Sequence, residues 1–139
     1  VTPSDIAYVR GYERRMLEGI AVVAYEYLPA GGAKVAQVLF EGLCAVRPTW
    51  SYVHLARGVC HERQGQTGEA WQAHKQAAQL DSTEPQAQLN MADLAVRHDK
   101  PALAARLARQ VINIESIRPD QRRRAEAILQ LAQKRRTSS

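Results

Sequence analysis

The stretches Gly31-Gly32-Ala33-Lys34-Val35-Ala36, Gly65-Gln66-Thr67-Gly68-Glu69-Ala70 and Asp99-Lys100-Pro101-Ala102-Leu103-Ala104 recur at intervals of 34 residues. Each opens on turn-forming residues and closes on an alanine, the pattern of a chain that reverses and then starts a helix. The period sets frames at 17–50, 51–84 and 85–118. Position eight of the frame, where two helices touch, needs a small residue and reads Ala24, Gly58 and Ala92. Position twenty has the same need and reads Ala36, Ala70 and Ala104. Position twenty-four should carry a bulky apolar side chain; Phe40 fits, whereas His74 and Ala108 fit poorly. Position twenty-seven reads Leu43, Ala77 and Val111.

A 34-residue helix–turn–helix unit is the tetratricopeptide repeat, which buries its apolar face against its neighbours in a stack. The prolines check this independently, because proline is tolerated in a helix's first turn or beyond its end but not inside it. Pro3, Pro85, Pro101 and Pro119 are placed to open helices, and Pro29 and Pro48 to close them; Thr2 with Asp5 resembles a capping box. The expected class is all-α: three tetratricopeptide repeats with an N-terminal helix and a C-terminal capping helix, as one domain over 1–139. Helix pairs are expected near 17–28 and 34–47, 51–63 and 68–80, and 85–97 and 102–115, with the capping helix at 119–135. Gly11 and Gly19 leave two endings open for the N-terminal helix, which either stops there or runs straight into repeat one. Ala125, Ile128, Leu129 and Ala132 follow the i, i+3, i+4, i+7 spacing of one apolar stripe, enough to cover the last repeat.

Hydrophobic residues make up 45% and charged residues 24%, a globular composition rich in helix formers. The longest apolar run, Ile20 to Ala24, is too short to cross a bilayer, and a soluble cytoplasmic protein is expected. The chain starts at Val1 and not at Met, which leaves open a leader upstream. Cys44 and Cys60 lack a CxxC pattern and read as small buried hydrophobes. His54, His61, His74 and His98 lack metal-ligand spacing, so neither metal nor cofactor is expected. The sequence has no nucleophile elbow, no phosphate-binding glycine loop and no facing carboxylate pair, which argues against an enzyme.

Stacked helix pairs curve so that the first helix of each pair forms a concave wall. Frame positions two, five, nine and twelve are expected to line it. They are Glu18, Ala21, Tyr25 and Leu28; Tyr52, Leu55, Val59 and Glu62; and Gln86, Leu89, Asp93 and Val96. Its middle rows are apolar, which suits a partner offering apolar side chains from an extended or helical segment. From this set the expected partner-binding residues are Ala21, Tyr25, Leu28, Tyr52, Leu55, Val59, Glu62, Leu89, Asp93 and Val96. Repeat domains that hold a C-terminal carboxylate use a clamp of Lys and Asn side chains, which Ala21, Tyr25, Gln86 and Asn90 do not make.

The segments Val38-Leu39-Phe40-Glu41-Gly42-Leu43-Cys44, Gly58-Val59-Cys60-His61-Glu62-Arg63-Gln64-Gly65 and Leu80-Asp81-Ser82-Thr83-Glu84-Pro85 resemble the class II chaperones of bacterial type III secretion. The likeness covers roughly residues 17 to 118. It implies three repeats between flanking helices, and a cytoplasmic protein that keeps a hydrophobic secreted translocator soluble. Tyr25 and Leu28 fall where that family's groove uses aromatic or aliphatic side chains.

Two features depart from the family pattern. Its members are mostly acidic, whereas this chain carries +5, concentrated at Arg122 to Arg124 and Lys134 to Arg136. Arg57 occupies frame position seven, normally a buried Leu, and is expected to reach the surface along its stem or pair with Glu62 or Glu69. A general repeat scaffold or adaptor, with the basic tail for an acidic partner, is therefore an alternative. Nucleic acid is disfavoured because the basic segment lacks interleaved aromatics. Ile6, Tyr8, Val9, Tyr12 and Met16 give the N-terminal helix an apolar face for capping repeat one or for a weak homodimer.

Overall fold

Prolines and turn residues divide the described residues into seven α-helices: α1 (Pro3–Glu26), α2 (Ala33–Val46), α3 (Ser51–Arg63), α4 (Thr67–Leu80), α5 (Pro85–Arg97), α6 (Pro101–Ile112) and α7 (Pro119–Thr137). The computed structural model describes residues 3–137, and the side chains of Gly11 and of Glu13 onward. The expected capping role of Thr2 and the apolar face of Ile6, Tyr8, Val9 and Tyr12 fall outside the described residues. No strand occurs among the described residues, so the fold is an all-helical repeat stack. None of these helices is long and apolar enough to cross a membrane.

Pro85, Pro101 and Pro119 each open a helix, where the missing N–H costs nothing. The first helix runs unbroken through Gly11 and Gly19. A glycine inside a helix costs about 1 kcal/mol relative to alanine, too little to end one that continues on both sides. Helix α6 stops at Ile112, three residues before the expected end. The chain turns there, with Ile117 N–H donating to the Ile114 carbonyl, before Pro119 starts the next helix.

The 34-residue period appears in the backbone itself. Gly31, Gly65 and Asp99 adopt φ of 77°, 73° and 58°. One residue further on, the N–H groups of Gly32, Gln66 and Lys100 donate to the carbonyls of Tyr27, His61 and Ala95 at 2.8, 2.9 and 2.9 Å. This is the left-handed helix ending that satisfies orphan carbonyls and reverses the chain. Glycine adopts it without strain, and Asp is among the few other residues that tolerate it.

The small-residue columns lie where the helices of each pair meet. Ala24 and Ala92, and Ala36, Ala70 and Ala104, are all fully buried. Ala24, Ala36, Phe40 and Leu43 share a core with Leu17, Leu28, Val53 and Cys60 across α1, α2 and α3. A second core joins Leu89, Ala92, Val96, Ala104, Leu107 and Val111 to Ala125, Ile128 and Ala132 of α7. Between them α4 presents mainly alanines, with Ala70, Ala73 and Ala77 buried and Trp71 packed against the second core. Burying a side chain the size of Phe40 contributes about 2 to 3 kcal/mol, so the stack rests on a few such groups within an alanine-lined frame.

His74 fits because its partner gives way. Its ring is fully buried at frame position twenty-four. A Cβ added to Gly58, at position eight of the same repeat, would stand 2.5 Å from His74 Cε1. The absent methyl on one helix makes room for the imidazole on the other. The third repeat solves the same contact differently, with Ala92 against Ala108, both fully buried.

Gly58→Ala should therefore destabilise the protein by about 1 to 3 kcal/mol through overpacking, despite a better helix propensity. Gly42→Ala, where an added Cβ meets nothing within 4 Å, should stabilise by about 0.5 to 1 kcal/mol. Chemical denaturation of the two variants checks both signs.

Candidate functional site

The first helices of the pairs form an open groove on one side of the stack. Its main cavity, about 360 Å³, is lined by Tyr25, Leu28 and Pro29 at the end of α1, by Tyr52, Leu55, Ala56, Val59 and Arg63 on α3, and by Gln86 and Asn90 on α5. A second cavity of about 270 Å³ shares Tyr52 and Leu55 with it and reaches Asp81, Glu84 and Ala87. The two make one continuous trough.

Its apolar wall is exposed where a ligand would need it. Tyr25 is 56% and Tyr52 40% exposed, large values for aromatic side chains in a concave setting. Tyr52 is steadied from behind by Trp50, ring centroids 5.9 Å apart. Arg47 in turn lies 4.6 Å over the Trp50 ring. Partial burial, and then the neighbouring Tyr25, raise the Tyr52 hydroxyl above its ordinary value. Tyr52 therefore offers a neutral, amphipathic surface.

Polar groups sit at defined places along this wall. Arg63 Nη1 donates to the Leu28 carbonyl at 3.3 Å, tying α3 to the end of α1. On α5, Gln86 Nε2 donates to Asn90 Oδ1 at 2.8 Å, while Gln86 Oε1 accepts from the buried Gln121 of α7 at 3.2 Å. Asn90 thus spends its carbonyl oxygen inside the protein and keeps its amide N–H groups for the groove.

Five of the ten expected binding residues, Tyr25, Leu28, Tyr52, Leu55 and Val59, line this trough. Ala21, Leu89 and Val96 do not; they are buried in the two cores. The physical reason in repeat three is that α7 packs onto α5, so Leu89 and Val96 become its landing surface. The stripe open to the groove on α5 is turned by one residue, from Leu89 to Asn90. Asn90 was missed for that reason, and the apolar stripe of α7, which must cover something, was the signal that could have placed it; Ala56 and Arg63, on α3, left no such mark in the sequence.

Glu62 and Asp93 belong to an ion network at the end of the trough. Glu62 Oε2 meets His74 Nε2 at 2.7 Å and its Oε1 meets Arg97 at 2.8 Å. Arg97 also pairs with Asp93 at 2.9 Å, and Asp93 with Arg124 at 3.1 Å. The chain links α4, α3, α5 and α7. Burial alone would raise the Glu62 carboxyl, but the hydrogen bond and charge of His74, joined by those of Arg97, hold it below its ordinary value. Arg57 pairs with neither Glu62 nor Glu69. Its Nη2 lies 3.4 Å from His54 Nδ1, and its Nε is buried without a partner. Glu62 is already engaged, which leaves Arg57 to lie back along its own helix.

The remaining titratable groups serve the scaffold. His54 Nε2 donates to the Pro48 carbonyl at 2.7 Å, so its Nδ1 is the acceptor that faces Cys44 Sγ at 3.8 Å. His61 Nδ1 is paired with Gln66 at 2.6 Å. Burial pushes the Cys60 thiol up to about 11 and raises Cys44 as well, so neither is an activated nucleophile. Among the described residues no group of three His, Cys, Asp or Glu side chains could hold a metal ion.

Concave wall, repeat stack and C-terminal cap together define an all-helical repeat fold with an open groove, and solved structures share the arrangement. The type III secretion chaperone SycD of Yersinia enterocolitica, in complex with a peptide of the translocator YopD, superposes with a TM-score of 0.80 at 20% identity, over 88% of this chain and 95% of that one. PcrH in complex with the chaperone-binding region of PopD gives 0.81 at 21% identity, over 88% and 95%. A type III secretion complex from Aeromonas hydrophila gives 0.81 at 18%, over 96% and 91%. At these identities the likeness establishes a shared fold. No family model and no curated protein matches the sequence.

Glu62→Gln should cost about 1 to 3 kcal/mol at neutral pH by weakening charged hydrogen bonds. Because the folded carboxyl is held low, its contribution is complete above the unfolded value of about 4.3 and is lost as pH falls through the folded one. Denaturation across this range should show the wild-type advantage shrinking towards acid pH.

Proposed function

We propose that this protein is a non-catalytic chaperone of bacterial type III secretion, which keeps a hydrophobic secreted translocator soluble in the cytoplasm by holding an apolar segment of it in the groove. The observation that carries the reading is the trough in the concave wall, where Tyr25 and Tyr52 are exposed, Leu55 and Val59 are partly exposed, and the buried Leu28 closes the floor. The fold shared with chaperones crystallised on translocator peptides supports the choice of partner. An extended segment fits best, since its alternate side chains can enter the trough while the Asn90 amide meets a main-chain carbonyl.

A weak homodimer through α1 belongs to the same reading. Met16, Val22 and Val23 on that helix are half exposed or more, and association would cover them before the partner is engaged.

Co-expression of the translocator with groove variants tests the proposal. Leu55→Asp should leave the fold intact yet oblige a carboxylate to lose its water when an apolar segment docks, abolishing protection. Tyr25→Ala should weaken binding by about 1 to 3 kcal/mol, as loss of an aromatic anchor does. A translocator that stays soluble with both variants contradicts the groove assignment.

A further inference from the structure

Residues 118–137 hold seven of the 19 Lys and Arg but only two of the 14 Asp and Glu, so this segment alone carries the whole net charge of +5. The rest of the chain is balanced. Helix α7 begins at Pro119, 34 residues after Pro85, and so stands where the first helix of a fourth repeat would stand. Its Arg124 is in register with Asn90 and reaches Asp93 of α5 at 3.1 Å while remaining 56% exposed. Arg123, in register with Leu55, is exposed and takes part in no ion pair among the described residues. The wall therefore changes character along the stack, from aromatic and aliphatic on α1 and α3, through Gln86 and Asn90 on α5, to guanidinium on α7.

We propose that the segment held in the groove continues as an acidic stretch over α7, where Arg123 and Arg124 receive its carboxylates. The inference rests on the groove reading above and adds the chemistry of the occupant beyond its apolar anchors. Neighbouring first helices lie about 10 Å apart, so α3 and α7 are separated by roughly 20 Å. At about 3.3 Å per extended residue, the acidic side chains fall some six residues from the anchor seated on Tyr52 and Leu55. These are side-chain carboxylates along a continuing chain, distinct from a clamped C-terminus. Nucleic acid fits the same charge less well. No aromatic residue follows Trp71, so α7 offers bases no stacking surface. A membrane fits poorly too, with Leu131 the one large apolar side chain exposed on α7.

The test uses the full chain and labelled peptides of about 15 residues with alternating Leu and Val anchors. They carry Asp-Glu-Asp or the neutral Asn-Gln-Asn about six residues away, on either side of the anchors. At low salt one acidic peptide should bind about five- to tenfold more tightly than its neutral counterpart, the range of one or two exposed ion pairs. That advantage should vanish in Arg123→Gln with Arg124→Gln and at high salt, and persist in Arg109→Gln on α6. Equal affinity of acidic and neutral peptides overturns the proposal, as does an advantage that survives the double variant. An α7-dependent affinity for a single-stranded oligonucleotide, without any peptide advantage, overturns it in favour of nucleic acid. The groove reading is scored separately: Leu55→Asp must abolish binding of the neutral peptide, and failure there sinks both.

Discussion

Each repeat depends on two helix backbones coming within a methyl group of one another. Ala24 and Ala36, Gly58 and Ala70, and Ala92 and Ala104 make that approach possible, and everything downstream follows from it. Close pairing fixes the angle at which one pair stacks on the next, and the stacking angle curves the first helices into a wall. The same constraint limits what else the core can contain. Where the second helix carries a bulky ring, the first must surrender even its Cβ, as Gly58 does beneath His74. The contact then acquires a polar consequence, because a buried imidazole needs a partner and finds it in Glu62.

From Glu62 the effect spreads outward. Its second oxygen holds Arg97, which holds Asp93, which holds Arg124 of the cap. The network joins four helices at one end of the groove, while Gln121 ties the cap to Gln86 at another point of the same helix. These links, and Arg135 donating to the Val96 carbonyl, set α7 against α5, beside the apolar cluster that Ile128 and Ala132 share with Leu89 and Val96. A groove with a rigid floor loses less conformational entropy when a ligand docks, which favours a binding role for a wall anchored in this way.

Much of the fold was legible because its determinants are local. A turn residue that takes a left-handed conformation, a proline that cannot sit inside a helix and a small residue at a crossing leave marks at fixed spacing: Gly31, Gly65 and Asp99 show the first, Pro85, Pro101 and Pro119 the second, and the buried Ala36, Ala70 and Ala104 the third. The groove was legible only in part because it is a property of how helices rotate against one another. Tyr25, Leu55 and Val59 could be read from position, since α7 packs mainly on α5 and α6. Leu89 and Val96 could not, because their burial depends on where α7 lands. His74 looked like a misfit in its column for a related reason: its compensation lies sixteen residues earlier at Gly58, on the partner helix.

Among the described residues, apolar surface that could meet another protein includes the concave trough and the exposed valines of α1 and α2, among them Val22, Val35 and Val38. Methyl chemical-shift mapping with an apolar-anchored peptide distinguishes them directly. The account predicts that the methyl groups of Leu28, Leu55 and Val59 shift on binding while those of Val22, Val35 and Val38 stay in place. Shifts confined to the valines, with Leu28, Leu55 and Val59 silent, would contradict it.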